Sequence, residues 1–302
     1  MYSTVIVETD SLIHVKDRGI VVEPLVATET NRPKSYHPED IGILVVEGAH
    51  SRISACALAM LAEAKTVVCT CDSGKYPVSL AIPACANTRS ERILKGQLAF
   101  RHAGRVWKQI AAAKIFNQSE CLRRRGCGAW ACIRGMSRKV RNGDAGNLEA
   151  VAAARYFDAL GIVRTTQRDE SNPMPNPALN YAYAIARSAT ARSLVGHGML
   201  CAVGLHHDNM RNPFCLADDM MEPFRPLIDE AVLDLPEILG KPWRRVKMEP
   251  AVKKLLVRTL YRDVEMDGGT FPMAAAIDRS CASLAKAYSG DVETLSLPRF
   301  PA

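Results

Sequence analysis

At 302 residues, with 48% hydrophobic and 24% charged side chains, the chain can bury a substantial core, and disordered or fibrous classes are excluded. Its net charge of +7 is unevenly spread. Ten cysteines with no CxxC pair argue against a disulfide framework and read as reduced thiols packed like small hydrophobes.

The opening MYSTVIVETD carries Glu8 and Asp10 where a secretory signal needs a basic end and an apolar run, so no signal peptide is read there. The most apolar stretch, ISACALAML, is about half the roughly 20 residues of a membrane-crossing helix. A cytoplasmic location with no membrane partner is therefore expected. STVIVET, GIVVEPL, IGILVVEG and KTVVCTCD are short β-branched runs, and each predicts a strand. Between the last two, SRISACALAMLAEA, with serine at its start, predicts a crossover helix. SGKYPVSLAIP predicts a last strand with a Pro-marked exit. Residues 1–83 thus form a small β-rich domain, with the boundary near Pro83–Asn87.

Residues 88–302 predict a larger all-α domain, which makes the whole chain α+β. SERILKGQLAFRHAGRVWKQIAAAKIFNQSECL repeats apolar residues at steps of three and four and predicts one long helix. GNLEAVAAARYFDAL follows, with Asn147 as N-cap and Glu149 in the first turn. NPALNYAYAIARSATARSLVGHGML opens another helix on Asn-Pro. FCLADDMMEPFRPLIDEAVLDL, PAVKKLLVRTLYRDVEM and FPMAAAIDRSCASLAKAYSG complete the set, and the tail after Gly290 is expected to be loosely held. Residues 89–141 hold fourteen Lys or Arg against Glu91 and Glu120, a charge of +12 beside −5 for the remainder. Such segregation fits an anionic polymer partner, with Arg123, Arg124, Arg125, Arg138 and Lys139 as candidate phosphate contacts. Cys121, Cys127 and Cys132 lie in the same region but lack the paired spacing of a zinc site.

GLHHDNMRNPFCLADDMMEPFRP, residues 204–226, concentrates the remaining chemistry. On a helix Glu222 shares a face with Asp218 and Asp219, and like charges so spaced repel by about 0.2–0.5 kcal/mol per pair. The cluster is either a solvated acidic surface or a set of carboxylates answered by a cation, of which a divalent metal is the obvious one. His206 and His207 precede it across a polar turn long enough to fold back on the helix. Glu149 stands in an alanine-rich apolar helix, where it either complements the helix N-terminus or faces another helix across a core. One histidine with hard carboxylate oxygens and no thiolate suits Mg2+ or Mn2+. Joined to the basic stripe, such a site describes a metal-dependent enzyme acting on nucleic-acid phosphodiesters. Two alternatives stand beside it: a structure-specific nuclease of DNA-repair type, and a non-enzymatic nucleic-acid-binding scaffold whose acids are surface charge.

The order GNLEAVAAARYF, LNYAYAIARS, GLHHDNMRNPFCLADDMMEPFRP resembles the CRISPR-associated adaptation integrases, the first-numbered Cas proteins. The likeness is close over residues 146–226 and looser over the whole chain, and LADD with EPFRP is most similar to members from type II systems. It implies that Glu149, His207 and Glu222 are metal ligands, with Asp219 a further acid at the site and His206 and Asp218 neighbours. Glu222 stands where some members have aspartate, an exchange of one hard carboxylate for another. The resemblance also implies a homodimer joined partly through the β-rich domains. Two such dimers would flank a dimer of the second adaptation Cas protein in a heterohexamer. The implied reaction joins the 3′-hydroxyls of a spacer DNA fragment to the CRISPR repeat, and water in place of the hydroxyl gives DNA hydrolysis.

Overall fold

The computed structural model describes residues 3–28, 31–75, 77–83, 90–164 and 173–301. The chain divides into two compact units, Met1–Thr88 and Arg89–Ala302. Apart from Pro83, the boundary expected at Pro83–Asn87 lies outside the described residues.

The first unit runs β1 (Ser3–Val7), β2 (Ser11–Lys16), β3 (Gly19–Pro24), β4 (Lys34–Tyr36), β5 (Ile41–Val46), β6 (Arg52–Ile53), α1 (Ala55–Glu63), β7 (Val67–Cys71) and β8 (Pro77–Ala81). Two four-stranded sheets result, in the orders β1-β5-β7-β8 and β4-β3-β2-β6. β5 pairs in parallel with both β1 and β7, and all six of its residues are buried. A strand covered on both faces is a continuous apolar run, which is how IGILVV reads. α1 makes the crossover between the parallel β5 and β7 that their direction requires. Its cap is Ser54, whose side chain accepts from the Ala57 N–H, and not the first serine of the run. That residue, Ser51, accepts from the Ser11 N–H at 3.1 Å, and Arg52 and Ile53 after it pair with β2. Val5, Ile13, Ile20, Leu44, Leu61 and Val68 meet in the core of this unit.

In the second unit α2 (Ser90–Leu98) and α3 (Ala103–Arg124) replace the single helix expected over 90–122. The break falls at AFRH, where Phe100 packs edge-on against Tyr288 with ring centroids 4.8 Å apart. The three-and-four apolar spacing continues through it, so periodicity alone does not reveal the interruption. There follow α4 (Trp130–Ser137), α5 (Leu148–Ala159), α6 (Asn176–Gly196), α7 (Cys215–Met221), α8 (Arg225–Leu233), α9 (Leu235–Leu239), α10 (Pro250–Val257), β9 (Asp263–Met266), β10 (Gly269–Pro272) and α11 (Met273–Tyr288). The unit is therefore not all-helical: β9 and β10 pair as an antiparallel hairpin. Asp267 and Gly268 at its tip both have positive φ, 52° and 77°, the requirement of a tight two-residue turn that Asp-Gly meets.

The tail after Gly290 is tied down rather than loose. Arg299 bridges to Glu265 of β9, Asn117 Nδ2 donates to the Pro298 carbonyl at 3.0 Å, and Leu295 and Phe300 are buried. Among the described residues no helix is long and apolar enough to cross a membrane. α3 is the central post of this unit and packs against α4, α5, α7 and α8. Its buried stripe includes Trp107, Ile110, Ala111, Lys114, Ile115, Gln118 and Cys121.

Candidate metal centre

The acids of residues 218–222 are not a solvated face. Asp218, Asp219 and Glu222 are all buried, flanked by the buried Leu216, Met220, Met221 and Phe224. Burying a charge without a partner is costly, so each must be answered. Asp218 takes two nitrogens of Arg187, at 2.8 and 2.7 Å, and Asn212 Nδ2 at 2.7 Å, which ties down the polar turn before α7.

Asp219, with no exposed surface, gathers the histidine turn. Its Oδ2 accepts from the Leu205 N–H at 2.6 Å and the His206 N–H at 3.0 Å. Its Oδ1 accepts from the His207 N–H at 3.2 Å and pairs with His207 Nδ1 at 2.6 Å. A Cβ at Gly204 would sit 2.3 Å from the His207 carbonyl oxygen and 3.0 Å from Asp219 Oδ2, so only glycine lets the turn close this tightly. With Nδ1 held as donor, the Nε2 lone pair of His207 is left for another partner. The Asp219 hydrogen bond raises the His207 pKa above 6.5, against a smaller opposing effect of burial. His206 turns the other way and stacks on Trp107, ring centroids 4.2 Å apart and planes within 3°.

Glu149 lies in the first turn of α5 and Asn147 at its N-cap position, both as read from the sequence, but the Asn147 side chain does not do the capping. Asn147 is left-handed, with φ 48°, and makes no capping bond. Asp144 caps instead: its two carboxylate oxygens accept from the Leu148 N–H at 3.0 Å and the Glu149 N–H at 2.8 Å. Glu222 begins the 3-10 turn Glu222–Phe224 after α7. Between these two glutamates stands Lys114 of α3, which donates to Glu149 Oε1 and makes an ion pair with Glu222 Oε2. Arg225 Nε donates to Glu222 Oε1 at 2.8 Å, with its guanidinium 4.5 Å over the Tyr183 ring. Burial pushes the Glu222 pKa up, yet Arg225 and Lys114 outweigh it and hold the carboxyl down at about 2. Burial likewise opposes the Lys114 charge, and Glu222 and Glu149 overcome it, so the ammonium pKa is raised.

Lys114, Asp144 and Arg225 were the residues missed in the sequence. Lys114 is one of the fourteen basic residues counted over 89–141, whereas it is buried. Its spacing from Trp107, Ile110 and Ala111 was the available signal. Among the described residues no three His, Cys, Asp or Glu side chains converge closely enough to hold a metal, and this includes Cys121, Cys127 and Cys132. The donor chemistry nevertheless fits a hard divalent ion: two carboxylates and an imidazole with a free Nε2. The buried Glu222 Oε2 is answered by the Lys114 ammonium, a cation set against carboxylate oxygen as a hard metal ion would be.

The basic residues divide into two sets. Arg123 bonds Glu120 at 2.6 Å, Arg124 bonds the Pro301 carbonyl and covers Phe300, and Arg125 bonds Asp234 at 3.2 Å. Arg101, Arg105 and Lys108 around the start of α3, with Arg138 and Lys139 after α4, are exposed and have no partner among the described residues.

Known proteins resemble this chain in sequence and in fold. The family described as CRISPR associated protein Cas1 matches residues 4–237. A CRISPR-associated endonuclease Cas1 of Neisseria meningitidis serogroup C (strain 8013) is 37% identical over 264 residues, covering 86% of this chain and 85% of that one. Among solved structures, a casposase bound to an integration product is similar with a TM-score of 0.81 at 19% identity, over 97% of this chain and 92% of that one. A Cas6-RT-Cas1–Cas2 complex has a TM-score of 0.72 at 16% identity, over 97% of this chain and 35% of that one. The solved structures speak for the fold, and the family match and the Neisseria relative speak for descent. By both, the chain belongs to the Cas1 family of CRISPR-associated proteins.

Proposed function

We propose that this chain is a divalent-metal-dependent DNA endonuclease and integrase that inserts new spacers into a CRISPR array. The observation that carries the reading is the opposition of Glu149 and Glu222, from separate elements, across one buried cation, with the Asp219-bound His207 within electrostatic reach of Glu222. The name of the Neisseria relative supports nuclease activity, and the casposase bound to its integration product supports strand joining on this fold.

Glu149, His207 and Glu222 would hold Mg2+ or Mn2+, which when bound stabilises the charge that builds on a phosphoryl oxygen. Asp219 keeps the His207 ring in one tautomer, and Arg225 keeps Glu222 ionised and oriented. In the joining step a spacer 3′-oxygen attacks a repeat phosphodiester, one P–O bond forms as another breaks, and the displaced 3′-oxygen takes up a proton. The number of phosphodiesters is unchanged, so positioning matters and no nucleotide triphosphate is consumed. Arg138 and Lys139, exposed and unpartnered, are ready phosphate contacts. Arg123, Arg124 and Arg125 reach a phosphate by exchanging Glu120, the tail carbonyl and Asp234. The complex of a similar chain with Cas2 supports assembly with a second adaptation protein, and the assembly we propose is a heterohexamer built from homodimers joined through the β-rich unit. The working location is the cytoplasm, where the array and its DNA partners lie.

The test is a joining assay with a 3′-hydroxyl DNA fragment, a repeat-bearing plasmid, the partner protein and Mg2+ or Mn2+. Wild type gives a branched joint product, and Glu222→Ala gives neither joining nor cleavage. Undiminished activity of Glu222→Ala sinks the metal-site reading. A plasmid that is only ever hydrolysed sinks the integrase reading and leaves a repair-type nuclease.

A further inference from the structure

The geometry points to Lys114 as an internal counter-cation that takes the place of the divalent ion in the metal-free protein and is displaced when the ion binds. The inference rests on the reading of Glu149 and Glu222 as metal ligands.

Lys114 sits on the buried stripe of α3, where the periodicity calls for an apolar side chain. An ammonium there loses its hydration, and only close anions offset that. It has two, and they are the proposed ligands: Nζ reaches Glu149 Oε1 and Glu222 Oε2 together. The other oxygen of Glu222 is bound by Arg225, so cations of this chain answer both oxygens of that carboxylate.

Two carboxylates and two cations make the cluster locally neutral without a metal. A divalent ion added with both cations in place would meet like charge at contact distance in a buried site. One of the two has to leave. Arg225 is fixed by its Nε bond to Glu222 and by Tyr183 beneath its guanidinium. Lys114 carries its charge on a flexible four-carbon stem and offers no planar fork to hold it in register. Lys114 is therefore the group that moves.

The test compares full-length wild type with Lys114→Met, Lys114→Arg and Glu222→Ala, measuring Mn2+ affinity by the electron paramagnetic resonance signal of free Mn2+ and thermal melting in chelator and in Mn2+. Removal of a buried competing cation predicts Mn2+ binding about tenfold tighter in Lys114→Met than in wild type. The variant should also melt below wild type in chelator and recover in Mn2+, and Lys114→Arg should bind more weakly than Lys114→Met. Folded Lys114→Met that binds Mn2+ no more tightly than wild type overturns the displacement. If wild type, Lys114→Met and Glu222→Ala share one weak affinity, the metal-site reading itself fails. Should Lys114→Met not fold in chelator, a Mn2+-soaked crystal of wild type decides: Nζ withdrawn from Glu222 supports the inference, and Nζ still bridging both glutamates with Mn2+ elsewhere overturns it.

Discussion

Asp219→Asn keeps the shape of a fully buried side chain and removes its charge together with half its acceptors, which makes it the sharpest probe of how the centre is held. Three backbone N–H groups and His207 Nδ1 converge on the two oxygens of Asp219. Bonds to a charged group are worth about 1.5–3 kcal/mol each and neutral ones about 0.5–1.5. Two bonds lost and two weakened would sum to roughly 5–8 kcal/mol in a sealed site, but these bonds are only part-buried and water replaces some of the loss. A loss of about 3 kcal/mol is therefore expected, which lowers the melting temperature by about 6–12 °C in a unit of this size. Because the Asp219 bond is the main cause of the raised His207 pKa, the ring should titrate closer to 6.5 in the variant, read by NMR. Mn2+ affinity, compared at one high pH, should fall about 10–100-fold, because nothing then fixes the ring's tautomer. Asp218→Asn is the matched control: it weakens the contacts to Arg187 and Asn212 but leaves the histidine turn bonded, so the His207 titration should move less than in Asp219→Asn, by the lost charge alone. An Asp219→Asn protein that melts with wild type and keeps the raised His207 pKa would refute this account of the site.

Asp229, buried beneath Tyr183, has its pKa raised to about 6 from 3.8, first by burial and against the hydrogen bond from Tyr183. A raised folded pKa contributes stability that is complete below 3.8 and lost as pH rises through about 6, here about 3 kcal/mol. Asp229→Asn keeps an oxygen for Tyr183 and should gain that much on wild type between pH about 4 and 7 in urea unfolding; parallel pH profiles would sink the reasoning. Asp144→Ala removes the side-chain cap of α5 and should cost about 1–2 kcal/mol, while Mn2+ affinity falls because Glu149 loses its fixed turn. An unchanged melt and affinity would show that the helix start is held by something other than Asp144.

How far the sequence reveals this molecule depends on whether a signal is local. Glu149 is legible because its helix start is local, and the acids of LADDMMEP because apolar neighbours on both sides imply burial. The true cap of α5 is not, because Asn147 is the nearer candidate. Only the left-handed residues Asp144 and Asn147 reveal that the chain turns back to let Asp144 reach two N–H groups. The β9–β10 hairpin carried an Asp-Gly signal that was outweighed by helical composition on both sides. β4 and β6, three and two residues long, exist only through pairing with β3 and β2, which no alternation records. Lys114 was hidden by charge counting, which treats a lysine on a buried stripe like one on a surface.

The three acids around α7 looked equivalent and mutually repelling as a string of letters, and the fold separates them by direction. α7 ends at Met221 and Glu222 opens the 3-10 turn after it, and the three acids each reach a different neighbour. Asp218 meets a guanidinium and an amide that hold the turn before the helix. Asp219 meets backbone N–H groups and one imidazole, donors that cannot leave without unfolding the turn. Glu222 alone is answered partly by a cation on a flexible stem. Repulsion of a few tenths of a kcal/mol per pair is small beside these contacts, so what distinguishes the acids is the mobility of what each binds. Two of them are committed to structure, and the third can exchange its partner. On the proposed reading, a site that admits a metal ion and a DNA phosphate needs one such exchangeable contact, and the contact of Lys114 with Glu222 is the one that fits.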